Sequence, residues 1–350
     1  IKEMKSKWMN FGKFFLFLGV GLFLFWLVYR DMDFTVLMVE LKKVNYWWIL
    51  LAAVFSILSH YSRALRWNLL IHPMGYKPRS FNTFLSILVM YITNLAIPRS
   101  GEVARCAVLK KYEKVPLTQL VGTVVVERSA DFVMLLVLML LLIMTQLGVV
   151  MQFMQNNPAV NTKLSALLNY SWVFLLAFLG GVLFLILLYN QRHHVRHLGV
   201  YGRFKEFVLN LKEGFVSIIN LNNKWEFIGH TVFIWFMYFL MSYVVFFAYG
   251  PTANLGIMAG LAVLVMGGFG MVAPVQGGIG AWHFMAMETL FIYGIARPEG
   301  KVFALISHTS MTLLMVVLGV VAFALLPLYN KVKSGDRKST RLNSSHRIRS

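Results

Sequence analysis

The chain has 350 residues, of which 58% are hydrophobic and 13% are charged, with a formal net charge of +19 and a mean hydropathy of +0.67. This composition excludes a soluble globular domain and predicts an all-α polytopic membrane protein with about seven to nine transmembrane or re-entrant segments. The single cysteine, Cys106, excludes an intramolecular disulfide. The basic excess indicates membrane topology and contact with anionic lipids, and the sequence contains no motif that predicts a nucleic-acid partner, a cofactor or a metal.

Two spans are predicted in the N-terminal part of the chain. The apolar run Phe14–Tyr29 follows a lysine-rich start and precedes no small-residue cleavage pattern, so it predicts a first spanning helix rather than a signal peptide. The aromatic segment Tyr46–Trp48 begins a second span that ends near Arg63 and Arg66. The positions of the basic residues place the N-terminus in the cytoplasm.

A broken hairpin is predicted next. The run Phe81–Ile97 is apolar, but a complete crossing would place the basic residues after it outside the cell, namely Arg105, Lys110, Lys111 and Lys114. A hairpin that enters from the cytoplasm and returns, with a break at Pro98 and Gly101, keeps these charges inside. The chain then crosses the membrane from Leu117 to about Val150.

The middle of the chain predicts a return to the cytoplasm and a new crossing. Ser171–Tyr189 is a span-length apolar run. Residues 203–221 place apolar side chains at helical spacing opposite charged ones, which predicts an amphipathic helix on the membrane surface. Phe227–Tyr249 then crosses outward.

A second interrupted pair of apolar segments follows, formed by Leu255–Val272 and Phe284–Ile295. The stretch between them contains four predicted hinge residues: Pro274, Gly277, Gly278 and Gly280. Val302–Leu328 is the last predicted span, and the basic residues after it place the C-terminus in the cytoplasm.

The order of these segments indicates an internal symmetry within one transmembrane domain over residues 1–335. Residues 47–150 and 227–328 each read as span, broken hairpin and span, with opposite topology. Segments interrupted by Gly and Pro at matching places in inverted halves are typical of a midplane site in a transporter. Residues 336–350 read as the translation of a sequencing adapter, so we exclude them from the fold and expect them to be disordered.

Charged side chains are concentrated around the first break. Arg99, Glu102 and Arg105 are spaced three residues apart, so Glu102 can bridge both arginines on one helix face. On the next helix, Glu127 and Asp131 are spaced four apart, with Arg128 beside them. If the two sets face each other, their charges nearly cancel, and a guanidinium is held ready to grip a phosphate beside a helix N-terminus. The alternative is a structural ion-pair network that binds nothing.

Two further groups of residues carry predictions. His283 follows the glycine break by one helical turn and is a candidate for proton coupling, although a buried histidine in a membrane more often completes a structural hydrogen bond. Arg63 and Arg66 with Trp67 are interpreted first as anchors at the headgroup interface and second as residues that capture a lipid phosphate.

At these residues the chain resembles the flippase-like family, also known as the lysylphosphatidylglycerol synthase transmembrane region, the membrane half of the multiple peptide resistance factor. The resemblance covers roughly residues 10–330 and rests on four motifs: Arg63-Ala64-Leu65-Arg66-Trp67, Pro98-Arg99-Ser100-Gly101-Glu102 with Arg105, Glu127-Arg128 with Asp131, and Gly277-Gly278-Ile279-Gly280. It implies a prokaryotic plasma-membrane protein that moves a lipid between leaflets. The chain departs from the family in having His283 where a glutamate is common, and in lacking an aminoacyltransferase domain after Lys333, so we do not expect it to synthesise a lysyl-lipid.

The leading functional hypothesis is a lipid flippase that is not an enzyme and whose substrate is an anionic, phosphate-bearing lipid, either a phospholipid or a polyprenyl-phosphate-linked carrier. Arg99 and Arg105, helped by Arg63 and Arg66, would hold the phosphate, and Glu102, Glu127, Arg128 and Asp131 would orient them. One alternative is an intramembrane enzyme that uses Glu127, Asp131 or His283 as acid or base. Another is a non-catalytic partner of an envelope-lipid synthase.

Overall fold

The structure, a computed structural model, describes residues 18–97, 100–156, 221, 223–273 and 275–347, with the backbone alone for residues 34, 149, 150, 153–155 and 332–347. The described residues are helical and contain no strand, which confirms the prediction of an all-α polytopic membrane protein. They form ten α-helices, which are α1 (Leu18–Tyr29), α2 (Phe34–Lys42), α3 (Tyr46–Ile71), α4 (Ser80–Ala96), α5 (Gly101–Glu113), α6 (Leu117–Asn156), α7 (Lys224–Val244), α8 (Ile257–Val272), α9 (Ala281–Ile292) and α10 (Arg297–Arg347).

Within the described ranges, four helical stretches are long and apolar enough to cross a membrane alone, and they belong to α3, α6, α7 and α10. Three further apolar helices, α1, α4 and α8, are shorter. The short helices α4 and α8 lie where the sequence predicts broken hairpins, because Gly and Pro end each helix before it spans the bilayer.

The first hairpin consists of α4 and α5, which pack against each other. Its turn depends on Gly101, because a Cβ atom there would lie 2.2 Å from the carbonyl oxygen of Met90. The backbone N–H of Gly101 donates to Asn94 Oδ1 at 2.7 Å, so this first N–H of α5 is not available to a ligand. Pro98 and Arg99 lie outside the described residues.

The second break separates α8 from α9. Gly277, Gly278 and Gly280 have positive φ angles of 55°, 75° and 79° within it, a conformation that side chains with a Cβ rarely adopt. A Cβ atom on Gly280 would lie 2.4 Å from Cβ of Leu24 in α1, so the first helix also packs closely here. Pro274 lies outside the described residues.

The two breaks meet inside the bundle. A Cβ atom on Gly277 would lie 2.7 Å from Leu95 at the end of α4, and the imidazole of His308 in α10 donates to the carbonyl oxygen of Gly277 at 2.7 Å. The order of span, two short helices and span is present in both predicted halves. The inverted orientation of the halves 47–150 and 227–328 stays a prediction.

The close packing at the second break gives a test of the fold. Gly280→Ala should lower thermal stability more than Gly294→Ala. Both glycines have positive φ, 79° and 85°, so each alanine costs about 1 to 2 kcal/mol of backbone strain, but a Cβ at Gly294 meets nothing within 4 Å. The steric conflict with α1 should add about 1 to 3 kcal/mol at Gly280 alone. Thermal unfolding of both variants in detergent measures the difference, and equal midpoints would contradict the packing of α1 on the break.

Several predicted boundaries need correction. The second span does not end near Arg66, because α3 continues to Ile71, and the last helix begins at Arg297 rather than after Lys301. Helix α10 continues to Arg347 and so includes residues 336–347, which the sequence-based prediction left out of the fold. The predicted span 171–189 and surface helix 203–221 lie outside the described residues, apart from Leu221.

Candidate anion-binding site

A polar stripe on α3 places two arginines inside the protein. Ser56, His60 and Arg63 recur every three or four residues and are buried, as is Arg66 one turn further on. Arg63 is 3% exposed and Arg66 is not exposed at all. Their interpretation as anchors at the headgroup interface is therefore wrong. They lie about 8 to 12 Å from the end of α3, given a rise of 1.5 Å per residue.

These two arginines are paired with the carboxylates of α6. Arg63 Nη1 lies 2.9 Å from Glu127 Oε1 and 3.1 Å from Asp131 Oδ2. Arg66 Nη2 lies 2.8 Å from Asp131 Oδ1 and 3.4 Å from Glu127 Oε1. Glu127 is ten residues into α6, about 15 Å along the helix from its start, so the pairs are formed well inside the helix bundle.

A third arginine reaches the same carboxylate from α5. Arg105 Nη1 donates to Glu127 Oε2 at 2.9 Å, and Arg105 is fully buried. Its guanidinium carbon lies 4.4 Å from the ring centroid of Trp67, whose indole N–H donates to Thr123 at 2.8 Å. The buried ring of Trp67 therefore packs against the Arg105 guanidinium and does not face the membrane interface.

Helix α7 supplies two further partners of these arginines, neither of which was predicted from the sequence. Arg66 Nη1 donates to Thr231 Oγ1 at 3.0 Å, and Arg63 Nη2 donates to the Tyr238 hydroxyl at 3.0 Å. Thr231 and Tyr238 are seven residues apart, which places them on one face of a helix. Two hydroxyl side chains at this spacing in an apolar helix could have indicated, from the sequence, that α7 contacts a polar group inside the bundle.

We call Arg63, Arg66, Arg105, Glu127 and Asp131 the arginine cluster. It contains three buried cations and two buried anions, so one positive charge is not balanced within it. Two nitrogens of Arg105, Nε and Nη2, have no hydrogen-bond partner among the described residues. They form one edge of the guanidinium plane, the edge that can bind two oxygens of one anion.

Arg128 and Glu102 lie at the accessible rim of the arginine cluster. Arg128 Nη2 lies 3.3 Å from Glu102 Oε1, and these side chains are 41% and 28% exposed. Glu102 was expected to bridge Arg99 and Arg105 along its own helix. The structure pairs it with Arg128 of α6, and its predicted contact with Arg99 lies outside the described residues. Arg128 also lies 3.8 Å from Asp131, so the rim is connected to the cluster.

Two histidines meet at the second break. The N–H of Gly280 donates to His283 Nδ1 at 3.2 Å, so the ring proton of neutral His283 is on Nε2, which has no hydrogen-bond partner in the described part of the chain. His308 donates through Nε2 to Gly277, and its Nδ1 lies 3.4 Å from the Thr312 hydroxyl. The two imidazole centroids are 4.5 Å apart.

The described residues contain no group of three His, Cys, Asp or Glu side chains that could hold a metal ion.

Comparison with known proteins agrees with the family resemblance. The sequence model of the family described as "Lysylphosphatidylglycerol synthase TM region" matches residues 14–319. The UPF0104 membrane protein MJ1595 of Methanocaldococcus jannaschii is 30% identical over 149 residues, which is 42% of this chain and 41% of that protein. The chain thus matches about two fifths of that relative's length. No solved structure matches the chain.

Proposed function

We propose that this chain, which belongs to the lysylphosphatidylglycerol synthase TM region family, moves an anionic phosphate-bearing lipid between the leaflets of a membrane. The observation that carries the proposal is the unbalanced charge of the arginine cluster together with the unpartnered edge of Arg105. A buried cation without a counter-ion is costly in a membrane, and an anionic guest removes that cost.

The chemistry of the Arg105 edge favours phosphate as the guest. A guanidinium stays charged at every accessible pH, and its planar fork forms two parallel hydrogen bonds to phosphate oxygens. The ion pair with Glu127 and the contact with Trp67 fix the plane, so little side-chain freedom is lost when the phosphate binds. Arg99 remains a proposed second phosphate ligand on the basis of the sequence alone.

Transport without a chemical change in the lipid fits the position of the cluster. It lies beside the turn of the first hairpin, which touches the second break, and interrupted helices at such a junction allow one part of a transporter to move against the other. We place both termini in the cytoplasm of a prokaryotic cell, so the cluster is nearer the inner leaflet.

Reconstitution in vesicles tests the function. Fluorescent phosphatidylglycerol should exchange between leaflets faster with the protein than without it, and faster than phosphatidylcholine with the same acyl chains, because only the first lipid has a net negative charge. Mass spectrometry of the lipids after the assay should find them unchanged. Equal rates for the two lipids would contradict anion selectivity, and a converted lipid would favour an enzyme.

We further propose that His308, not His283, takes up a proton if transport is coupled to a proton gradient. Protonation of His283 would turn Nδ1 into a donor that faces the N–H of Gly280, and that hydrogen bond would be lost. Protonated His308 keeps its bond to Gly277 and can donate to Thr312 through Nδ1. Besides His283 in α9, the titratable Tyr29 of α1 faces this pair, and its hydroxyl donates to the carbonyl of Lys301.

Two variants that preserve these hydrogen bonds test the assignment. His308→Gln keeps a donor for Gly277 but cannot take up a proton, so the response of the transport rate to an imposed pH gradient should be lost. His283→Asn keeps an acceptor for Gly280 and should retain that response. The initial rate of leaflet exchange, with and without the gradient, is the measurement. A full response in His308→Gln, or none in His283→Asn, would reverse the assignment.

A further inference from the structure

A groove on the outer surface of the bundle, between α3 and α7, lies directly beside the arginine cluster. Its volume is about 470 Å³, and each helix contributes four residues to its lining. Leu58 and Leu65 form the α3 wall, and Phe233 and the side-chain-free Gly229 form the α7 wall. Leu58 and Phe233 are exposed, so the groove opens toward the surrounding membrane.

The floor of the groove is polar although its walls are apolar. Ser62 and His230, which both line the groove, are joined by a hydrogen bond of 2.8 Å between Ser62 Oγ and His230 Nδ1. Ser62 is 4% exposed and His230 is partly buried, so the pair lies on the inner side of the groove. Lipid hydrocarbon cannot form hydrogen bonds with a hydroxyl or an imidazole. The floor is therefore suited to the polar headgroup of a lipid whose chains lie along the apolar walls.

On α3 the arginine cluster is adjacent in sequence to this floor, and on α7 a hydrogen-bond partner of the cluster is adjacent to it. Arg63 follows Ser62, and Thr231, the acceptor for Arg66, follows His230. The hydrogen-bonded pair on the floor therefore lies next to a cluster with an unbalanced positive charge. An anionic group at the floor is attracted inward, and the exposed Glu226 at the rim disfavours the same group further out.

We infer that this groove, which we call the α3–α7 groove, seats one hydrocarbon chain of the phosphate-bearing lipid and is the lateral entrance through which its phosphate reaches the arginine cluster. The inference rests on the proposed function. The groove extends from Leu58 to Leu65, about 10 Å along the helix, which is two thirds of the roughly 15 Å depth of one leaflet. Opening the Ser62–His230 hydrogen bond admits the phosphate, and both side chains can then bond to its oxygens.

Filling the groove tests the inference. A Cβ atom on Gly229 meets nothing within 4 Å, so the backbone there accepts a side chain, and Gly229→Trp projects a ring toward the groove that Gly229 lines. Gly122 on α6 is equally open and exposed, so Gly122→Trp is a matched control on a different membrane-facing helix. The probes are long-chain phosphatidylglycerol in mixed micelles and water-soluble sn-glycerol 3-phosphate, which has the phosphate but no chain.

Gly229→Trp should raise the apparent Kd for long-chain phosphatidylglycerol tenfold or more and change the Kd for glycerol phosphate less than twofold, while Gly122→Trp changes neither. Gly229→Leu should give an intermediate effect and serves if the tryptophan variant does not fold. Equal affinities of wild type and both Gly229 variants for the long-chain lipid would overturn the inference and leave the proposed function standing. Absence of saturable binding of both probes to the wild type would overturn the phosphate site itself, and the groove inference with it.

Discussion

Replacing Arg105 by glutamine should reduce leaflet exchange of phosphatidylglycerol by about tenfold to a hundredfold while leaving the protein folded. The reduction corresponds to the loss of charge-assisted hydrogen bonds worth about 1.5 to 3 kcal/mol. The fold should survive because the remaining cluster has two arginines and two carboxylates, which balance each other. Initial exchange rates in vesicles and thermal unfolding in detergent measure the two effects separately.

Two further variants separate the Arg105 edge from charge in general. Arg105→Lys keeps the charge but loses the two-nitrogen edge, so its exchange rate should fall between those of wild type and Arg105→Gln. Arg79 is also ion-paired, with Nε 2.7 Å from Glu113 Oε1, but it lies outside the arginine cluster. Arg79→Gln should therefore leave exchange unchanged. Wild-type exchange in Arg105→Gln would remove Arg105 from the proposed site.

Replacing Glu127 by glutamine should have the opposite pattern, with a large loss of thermal stability. Glu127 accepts from or pairs with all three arginines of the cluster. Its neutralisation leaves three buried cations with Asp131 alone, and removing one partner of a buried ion pair costs about 3 to 5 kcal/mol. For a chain of this size, the thermal midpoint should fall by roughly 10 °C.

A double variant distinguishes charge balance from a general sensitivity of this position. Glu127→Gln combined with Arg105→Gln returns the cluster to one unbalanced positive charge, as in the wild type, so it should be more stable than Glu127→Gln alone. Glu226→Gln is the control, because Glu226 is exposed and accepts a hydrogen bond from its neighbour Asn223 at 3.1 Å, outside the arginine cluster. If the double variant is destabilised by the sum of the two single effects, the net charge of the arginine cluster does not determine its stability.

Local features of the chain were predictable from the sequence. The ends of α4 and α8 follow from Gly and Pro residues, whose effects on a helix depend on their own backbone chemistry. The charged side chains of α5 and α6 were recognised as a group because ionisable residues inside apolar runs must find partners. The family resemblance was confirmed by the match to residues 14–319.

Contacts between helices were not predictable in the same way. The spacing of Glu102 and Arg105 defines a helix face but not the helix that the face meets, and Glu102 pairs with Arg128 of α6. Arg63 and Arg66 were placed at the interface because the end of α3 was set too early by five residues. Thr231 and Tyr238 have no charge, so only the packing of α7 on α3 identifies them as partners.

Native mass spectrometry of the purified protein tests most directly whether the buried excess charge holds a lipid phosphate. Wild type released gently from detergent should retain one phosphorus-containing lipid per chain, and Arg105→Gln of equal thermal stability should retain none. Equal retention by the two proteins, or retention only of lipids without a net negative charge, would show that the unpartnered edge of Arg105 is not a phosphate site.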